Sequence, residues 1–413
     1  MTPVQIGLLS IAALVILLAF RVPAGISLIL AAVLGGSLLT SPGIAFREIG
    51  GDVIRIVSHY DLSVIPFVIL MGYIYQTGAK AEVPSQVSSQ VSSRLPAGLT
   101  PVLALIMFGF LSGGSVARFL MAGVIPGIIT LILLVPAAVV ICKIAQERKK
   151  TCVDPLTSAE HKQKTNCCMR TNHSDMYLAL RSGVRAQLDK ALLILVSLII
   201  IGGIFFGIFR PVQAFAVGVL VSVIVLTVTR RLPLKDLPEV LKISVGATAR
   251  VFLLLSGGWL FGALLTRSLI HSTLIRLIAG SAIPPFLVLG SILFFYIAFG
   301  FLFNDLAALV ILTPIVYPII SGLGYSVNWF AILAILALMA GALSKERAEP
   351  GLTGGRLPPL KVLLHFAQDL SGKDRRVLKT IWPLFVALLI ACLIIAAFPD
   401  TVTLLPRLMF SLL

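Results

Sequence analysis

Charge is scarce in this sequence. Only 12% of its 413 residues are Asp, Glu, Lys or Arg, against roughly 25% in an average soluble domain. Acidic residues are the rarer sign, 17 against 33 basic. Hydrophobic residues make up 58% and the mean hydropathy is +1.05, which excludes a soluble fold because too little polar surface exists to cover such a core. Motifs for direct ATP use or hydrolysis are also missing: there is no Gly-x-x-x-x-Gly-Lys-Ser/Thr loop, no His-Glu-x-x-His and no Gly-x-Ser-x-Gly. The five cysteines, Cys142, Cys152, Cys167, Cys168 and Cys392, lack the Cys-x-x-Cys spacing of a zinc site. They read as free thiols, and no structural metal is expected.

What the chain does have is apolar runs, each near the roughly 20 residues that cross a bilayer. They fall near 4–20, 23–40, 62–76, 101–117, 119–142, 191–209, 213–229, 250–266, 283–303, 306–323, 328–343 and 380–398. The runs are continuously apolar, as Leu192 to Ile201 illustrates, whereas barrel strands alternate every second residue. The expected fold is therefore all-α and polytopic, with about 10–12 transmembrane or re-entrant helices. The first run lacks a basic leader and meets Arg21-Val22-Pro23 before a second run, so it reads as a retained anchor.

A net charge of +16 would suggest nucleic acid in a soluble protein. Here the basic residues gather in Lys143 to Lys190, Arg230 to Lys242 and Lys345 to Lys379, loops that flank apolar runs. Counting crossings between them gives even numbers, so all three can lie on one side, and positive loops mark the cytoplasmic one. The expected partner is the lipid bilayer, with no nucleic acid. The polar segment 143–190, which carries His161 and His173, separates an N-terminal membrane half, 1–142, from a C-terminal half, 191–413.

Landmarks recur in the same order in the two halves. Arg21 and Pro23 lead into a helix, as Arg210-Pro211 does. Ile65 to Gly72 opens another, and Val251 to Gly258 is its expected counterpart. Thr100-Pro101 and Pro284-Pro285 then begin runs that end at Ser112-Gly113-Gly114-Ser115 and at Asn304-Asp305. Such ordering is what an inverted-repeat, ion-transporter-like fold predicts, although two hydrophobic stretches also resemble each other by composition.

Polar groups at membrane depth are the places to seek chemistry, because they are costly unless paired or lining a cavity. Ser112, Gly113, Gly114 and Ser115 predict a broken helix whose hydroxyls and carbonyls suit a cation; the same residues also suit close helix packing. Asn304 and Asp305 read either as a cation or proton site or as a short exposed turn. Thr313-Pro314 reads as a kink or as part of an ion site. Outside the loops the helices offer little ionisable chemistry beyond Asp305, so an enzyme is not expected.

Several segments resemble, in order and spacing, the large permease subunit of tripartite ATP-independent periplasmic (TRAP) transporters, the DctM-like family. They are Arg21-Val22-Pro23-Ala24, Ile65 to Gly72, Leu111 to Ala117, Phe119 to Gly127, Gly202 to Pro211, Asn304-Asp305, Ile311 to Ile315 and Ile381 to Leu384. The resemblance implies sodium-driven uptake of an organic acid, C4-dicarboxylate-like or a sugar acid, across the bacterial inner membrane. It further implies a periplasmic solute-binding protein and a small membrane subunit as partners, and no cofactor beyond the coupling ion. Carried over residue by residue, it assigns ion or substrate binding to Ser112, Gly113, Gly114, Ser115, Asn304, Asp305, Thr313, Pro314, Pro358 and Pro359. Sodium falls to Ser112, Ser115, Asp305 and Thr313.

The chain also departs from the family pattern. Val116-Ala117 runs straight into Arg118-Phe119 where the family has a few dozen further residues, and Ser344 to Arg356 is a charged insertion. Gln213 stands for a glutamate, Leu357 for a threonine, and Arg118 for a small residue. These departures imply a divergent or internally deleted member, and they support an alternative: a non-transporting paralogue acting in assembly or as a scaffold.

Overall fold

The computed structural model describes residues 2–20, 22–80, 99–151, 196, 198–228, 234–280, 284–348 and 375–412. Among these residues the regular structure is helical and there is no strand. Helix α1 is Pro3–Ala19, α2 Ala24–Leu39 and α3 Pro42–Val57; a 3-10 turn, Tyr60–Ser63, leads to α4, Val64–Lys80. Next come α5 (Thr100–Leu111), the seven-residue α6 (Val116–Ala122) and α7 (Val124–Thr151). A helical stretch over 198–205 precedes α8 (Pro211–Val228), α9 (Leu237–Arg267), α10 (Ile270–Ala279) and α11 (Pro285–Leu302). The rest is α12 (Asp305–Gly322), α13 (Val327–Ala348), α14 (Arg375–Ala397) and α15 (Asp400–Leu412).

Proline sets many of the starts. Pro3, Pro42, Pro101, Pro211, Pro238 and Pro285 each occupy the first or second helical position, where the missing N–H would be unbonded anyway and φ is already helical. Among the described residues five helices are long and apolar enough to cross a membrane, seven if each of two bent pairs is one span; four more apolar helices have 10–17 residues. Their outward faces carry Leu131, Leu220, Phe294 and Leu393, all more than 60% exposed. The protein is thus an all-α polytopic membrane protein whose lipid-facing side chains are as apolar as its core.

Two expectations change. Val251 to Gly258 does not open a helix: it lies well inside α9, which starts at Leu237 and runs 31 residues. The polar first turns of α9, with Glu239 and Lys242, interrupted the apolar run without interrupting the helix. Likewise α7 continues past Cys142 to Thr151, so the basic segment begins as helix. Residues 152–195 lie outside the described residues.

Helix α2 packs against α9, and α4 packs against α8. Matching α2 with α8 and α4 with α9, as the landmarks in the two halves do, turns the first contact into the second. Close backbone approach makes the α2–α9 contact: a Cβ on Gly257 would stand 2.7 Å from the Gly25 carbonyl oxygen. Across α4–α8 the Tyr75 and Ser222 hydroxyls hydrogen-bond at 2.7 Å. Both are the devices that hold helices together in lipid, where burial of apolar surface drives nothing. Charge appears at the rim, where Arg267 at the end of α9 pairs with Glu48 of α3.

Replacing Gly257 by Leu must push α2 from α9. The expected cost is about 1–3 kcal/mol, read as a lower unfolding midpoint of the detergent-solubilised chain; an unchanged midpoint contradicts the close approach.

Candidate functional site

Helix α5 ends at Leu111, and the following residues close it tightly. The Gly113 N–H donates to the Phe110 carbonyl at 3.0 Å and the Gly114 N–H to the Gly109 carbonyl at 2.9 Å. This pairing needs a left-handed residue after the cap, which Gly113 supplies with φ of 70°. The expected break at Ser112-Gly113-Gly114-Ser115 is therefore present. The Ser112 hydroxyl donates to the Gly109 carbonyl at 3.1 Å, leaving its lone pairs available. Gly113 and Ser115 are exposed, and Ser112 and Gly114 half-buried. Arg118 follows within α6, exposed, with no interruption between Ala117 and Arg118.

The second break separates α11 from α12. Phe303 is extended, and the Asn304 side-chain oxygen accepts from the Leu306 N–H at 3.2 Å, capping α12. Asp305, half-buried, occupies the first helical position, where a negative charge suits the helix dipole. Further along, Thr313 is fully buried and donates to the Leu309 carbonyl at 2.6 Å. Pro314 is buried inside the unbroken helix and withholds the N–H that the Val310 carbonyl would otherwise receive. Pro358 and Pro359 lie outside the described residues.

These pieces converge on α9. Helix α5 packs directly on α12, and both pack on α9. A Cβ on Gly258 would collide with Val310 Cγ1, lie 3.5 Å from the Val310 carbonyl oxygen and 3.6 Å from Leu111 Cδ2. The absence of that Cβ lets three helices meet. The end of α5 thus comes level with Val310, about 7.5 Å along the axis from Asp305 and about 4.5 Å from Thr313. Gly258 lies nine residues, about 13.5 Å, below Arg267, close to half a bilayer from the rim. The structure so brings the end of α5, at Leu111, against α12 near Val310, a position between Asp305 and Thr313 in that helix.

Sequence reasoning missed Tyr296 of α11. Its fully buried hydroxyl stands beside the Thr313 hydroxyl yet makes no hydrogen bond of ordinary geometry. A tyrosine in an aromatic-rich run gave no signal. Also unforeseen was the aromatic rim of the first break, where Arg55 sits 5.5 Å over Trp259, and Trp259 and Phe110 are 5.1 Å apart. Among the described residues no group of three or more His, Cys, Asp or Glu could hold a metal ion.

One departure from the family pattern is absorbed locally. Gln213, at the third position of α8, accepts from the Arg210 N–H at 3.0 Å, the reach-back half of a capping box that a glutamate also makes.

Residues 86–401 match the tripartite ATP-independent periplasmic transporter, DctM component, family. The chain is 28% identical over 310 residues to the sialic acid TRAP transporter large permease protein SiaM of Vibrio cholerae, covering 75% of this chain and 64% of that one. It is 25% identical over 248 residues to the C4-dicarboxylate TRAP transporter large permease protein DctM of Pseudomonas aeruginosa, 60% and 52%. To the ectoine TRAP transporter large permease protein TeaC of Halomonas elongata it is 24% identical over 246 residues, 59% and 52%. The chain therefore spans between about half and two thirds of the length of these relatives. The ordered landmarks, the packing of α5 and α12 together on α9 and a family match over more than half of the sequence agree: the chain belongs to the DctM component family of TRAP transporters.

Proposed function

We propose that the protein is the membrane permease subunit of a TRAP-type secondary transporter in the bacterial inner membrane, and that it is a carrier, not an enzyme. In this reading it couples sodium to uptake of an organic acid, C4-dicarboxylate-like or a sugar acid. A periplasmic solute-binding protein delivers the solute and a small membrane subunit completes the complex. The observation that supports the reading is the meeting of the end of α5 with α12 at Gly258. Polar groups from two halves of the chain then flank one helix contact inside the bilayer, where a hard cation needs several oxygens and irregular backbone persists only against protein or a cavity. Sodium is assigned to Ser112, Ser115, Asp305 and Thr313, of which Asp305 and Thr313 stand about 12 Å apart along α12 and so serve different ions; Gly113 and Gly114 open the backbone to the solute; Pro314 releases the Val310 carbonyl. The family resemblance adds Pro358 and Pro359 to the ion- or substrate-binding set. Asn304 shapes the site by capping.

A second reading, a non-transporting paralogue serving assembly, draws on α6, which runs through Ala117-Arg118 where the family resemblance implies further residues.

Reconstitution in vesicles with a binding protein and small subunit from the same genome separates the two. Sodium-dependent uptake of an organic acid supports the carrier; its absence with every partner set supports the scaffold. Within the carrier reading, Asp305→Asn raises the half-saturating sodium concentration about tenfold, the loss of one charge-assisted contact. Asn304 behaves differently. Asn304→Ala lowers stability by about 1 kcal/mol through the lost cap, Asn304→Asp restores it, and neither shifts the sodium dependence. A sodium shift in Asn304→Asp comparable with that of Asp305→Asn would refute this division of roles.

A further inference from the structure

Helix α3 is amphipathic in the opposite sense to a helix on a water-soluble protein. Glu48, Asp52 and Arg55, spaced i, i+4 and i+7, share one face, and that face looks at α9: Glu48 pairs with Arg267, and the Arg55 guanidinium lies 5.5 Å over the Trp259 ring. The opposite face carries Phe46, Ile54 and Val57, each more than half exposed. The polar seam is thus turned to protein and the apolar side to lipid. Along the seam, between α2, α3 and α9, lies a cavity lined by Thr40, Glu48, Asp52 and Arg267 among others.

The same two contacts fix how deep the seam runs. Arg55 comes seven residues after Glu48, and Trp259 eight residues before Arg267, so the two helices run antiparallel and the seam descends about 10–12 Å from the rim. It ends at the first break. Trp259 follows Gly258, where α9 meets Leu111; its ring is 5.1 Å from Phe110, and Phe110 is 5.3 Å from His59 in the turn after α3. An arginine at such depth is costly unless it faces water or a counter-ion. Asp52 is no full counter-ion: its carboxylate stands 3.7 Å from the guanidinium, outside hydrogen-bond reach. The Arg55 side chain is 65% exposed. Its planar fork suits a carboxylate bound through two N–H donors, and the indole beneath holds the fork in place.

We infer that Arg55, seated on Trp259 at the inner end of this seam, binds a carboxylate of the transported solute. The inference rests on the carrier reading and adds to it the residue that recognises the anion. Uptake into vesicles reconstituted with the partner subunits tests it, with succinate as the dicarboxylate probe and N-acetylneuraminate as the sugar-acid probe. Because Arg55 is exposed, Arg55→Gln leaves the core untouched. It raises KM for the transported acid about tenfold, the loss of one charge-assisted contact, and leaves the maximal rate in place; Arg55→Lys, which keeps a charge without the fork, lies between. A KM unchanged in Arg55→Gln, or a fall in maximal rate alone, overturns the inference and leaves the carrier standing. Uptake of neither probe by the unaltered chain counts against the carrier, and the emission of Trp259 in the detergent-solubilised full-length chain then reads the site. A response to either acid that Trp259→Phe abolishes and Arg55→Gln weakens about tenfold supports the anion site without transport; no response overturns both readings. The emission is also compared in phosphatidylcholine vesicles with and without phosphatidylglycerol. An Arg55-dependent response to the anionic lipid, with none to the acids, makes the arginine a headgroup anchor and overturns the inference.

Discussion

A main-chain carbonyl in the hydrocarbon layer has no water to turn to, and α12 carries two that its own helix cannot serve. Much of the surrounding architecture follows from that. Helix α12 is the most enclosed of the long apolar helices, 67% buried, and its neighbours approach it through small residues. Gly258 and Gly262 bring α9 against the stretch from Val310 to Pro314, while α10 packs on the same helix with His271 buried. A helix with prolines at 314 and 318 would be a weak element alone; enclosed in this way it becomes a fixed wall against which the loop after α5 can be set.

The membrane character and the positions of the two breaks were legible because both are local signals. Continuous apolar runs mark helices, and Ser112-Gly113-Gly114-Ser115 combines a cap with a residue able to take positive φ. Less legible were α3, α10 and α15, whose mixed apolar and charged residues never form a long run; α3 alone holds Arg47, Glu48, Asp52 and Arg55. For the same reason the first turns of α9 were missed and Val251 was taken for a helix start. Tyr296 was invisible for another reason. Its meaning lies in which hydroxyl it stands beside across helices, and a single sequence records no such pairing. Asn304 illustrates the converse, a residue marked for chemistry whose side chain is occupied as a helix cap.

Exchange of the halves relates the α2–α9 and α4–α8 contacts, but it stops short of α12. Its first-half counterpart would follow α5, where the chain instead has the seven-residue α6 leading into α7. Family membership does not choose among solutes either, since the relatives' names include sialic acid, a C4-dicarboxylate and ectoine.

The cap on α8 shows how a departure can alter behaviour without altering shape. A glutamate in the place of Gln213 would make the same bond to the Arg210 N–H with a full negative charge behind it, and would lose that charge, though not its carbonyl acceptor, on taking a proton in acid near pH 4. An amide has no proton to take. The fastening at the entry to α8 therefore keeps one strength in acidic and neutral surroundings alike.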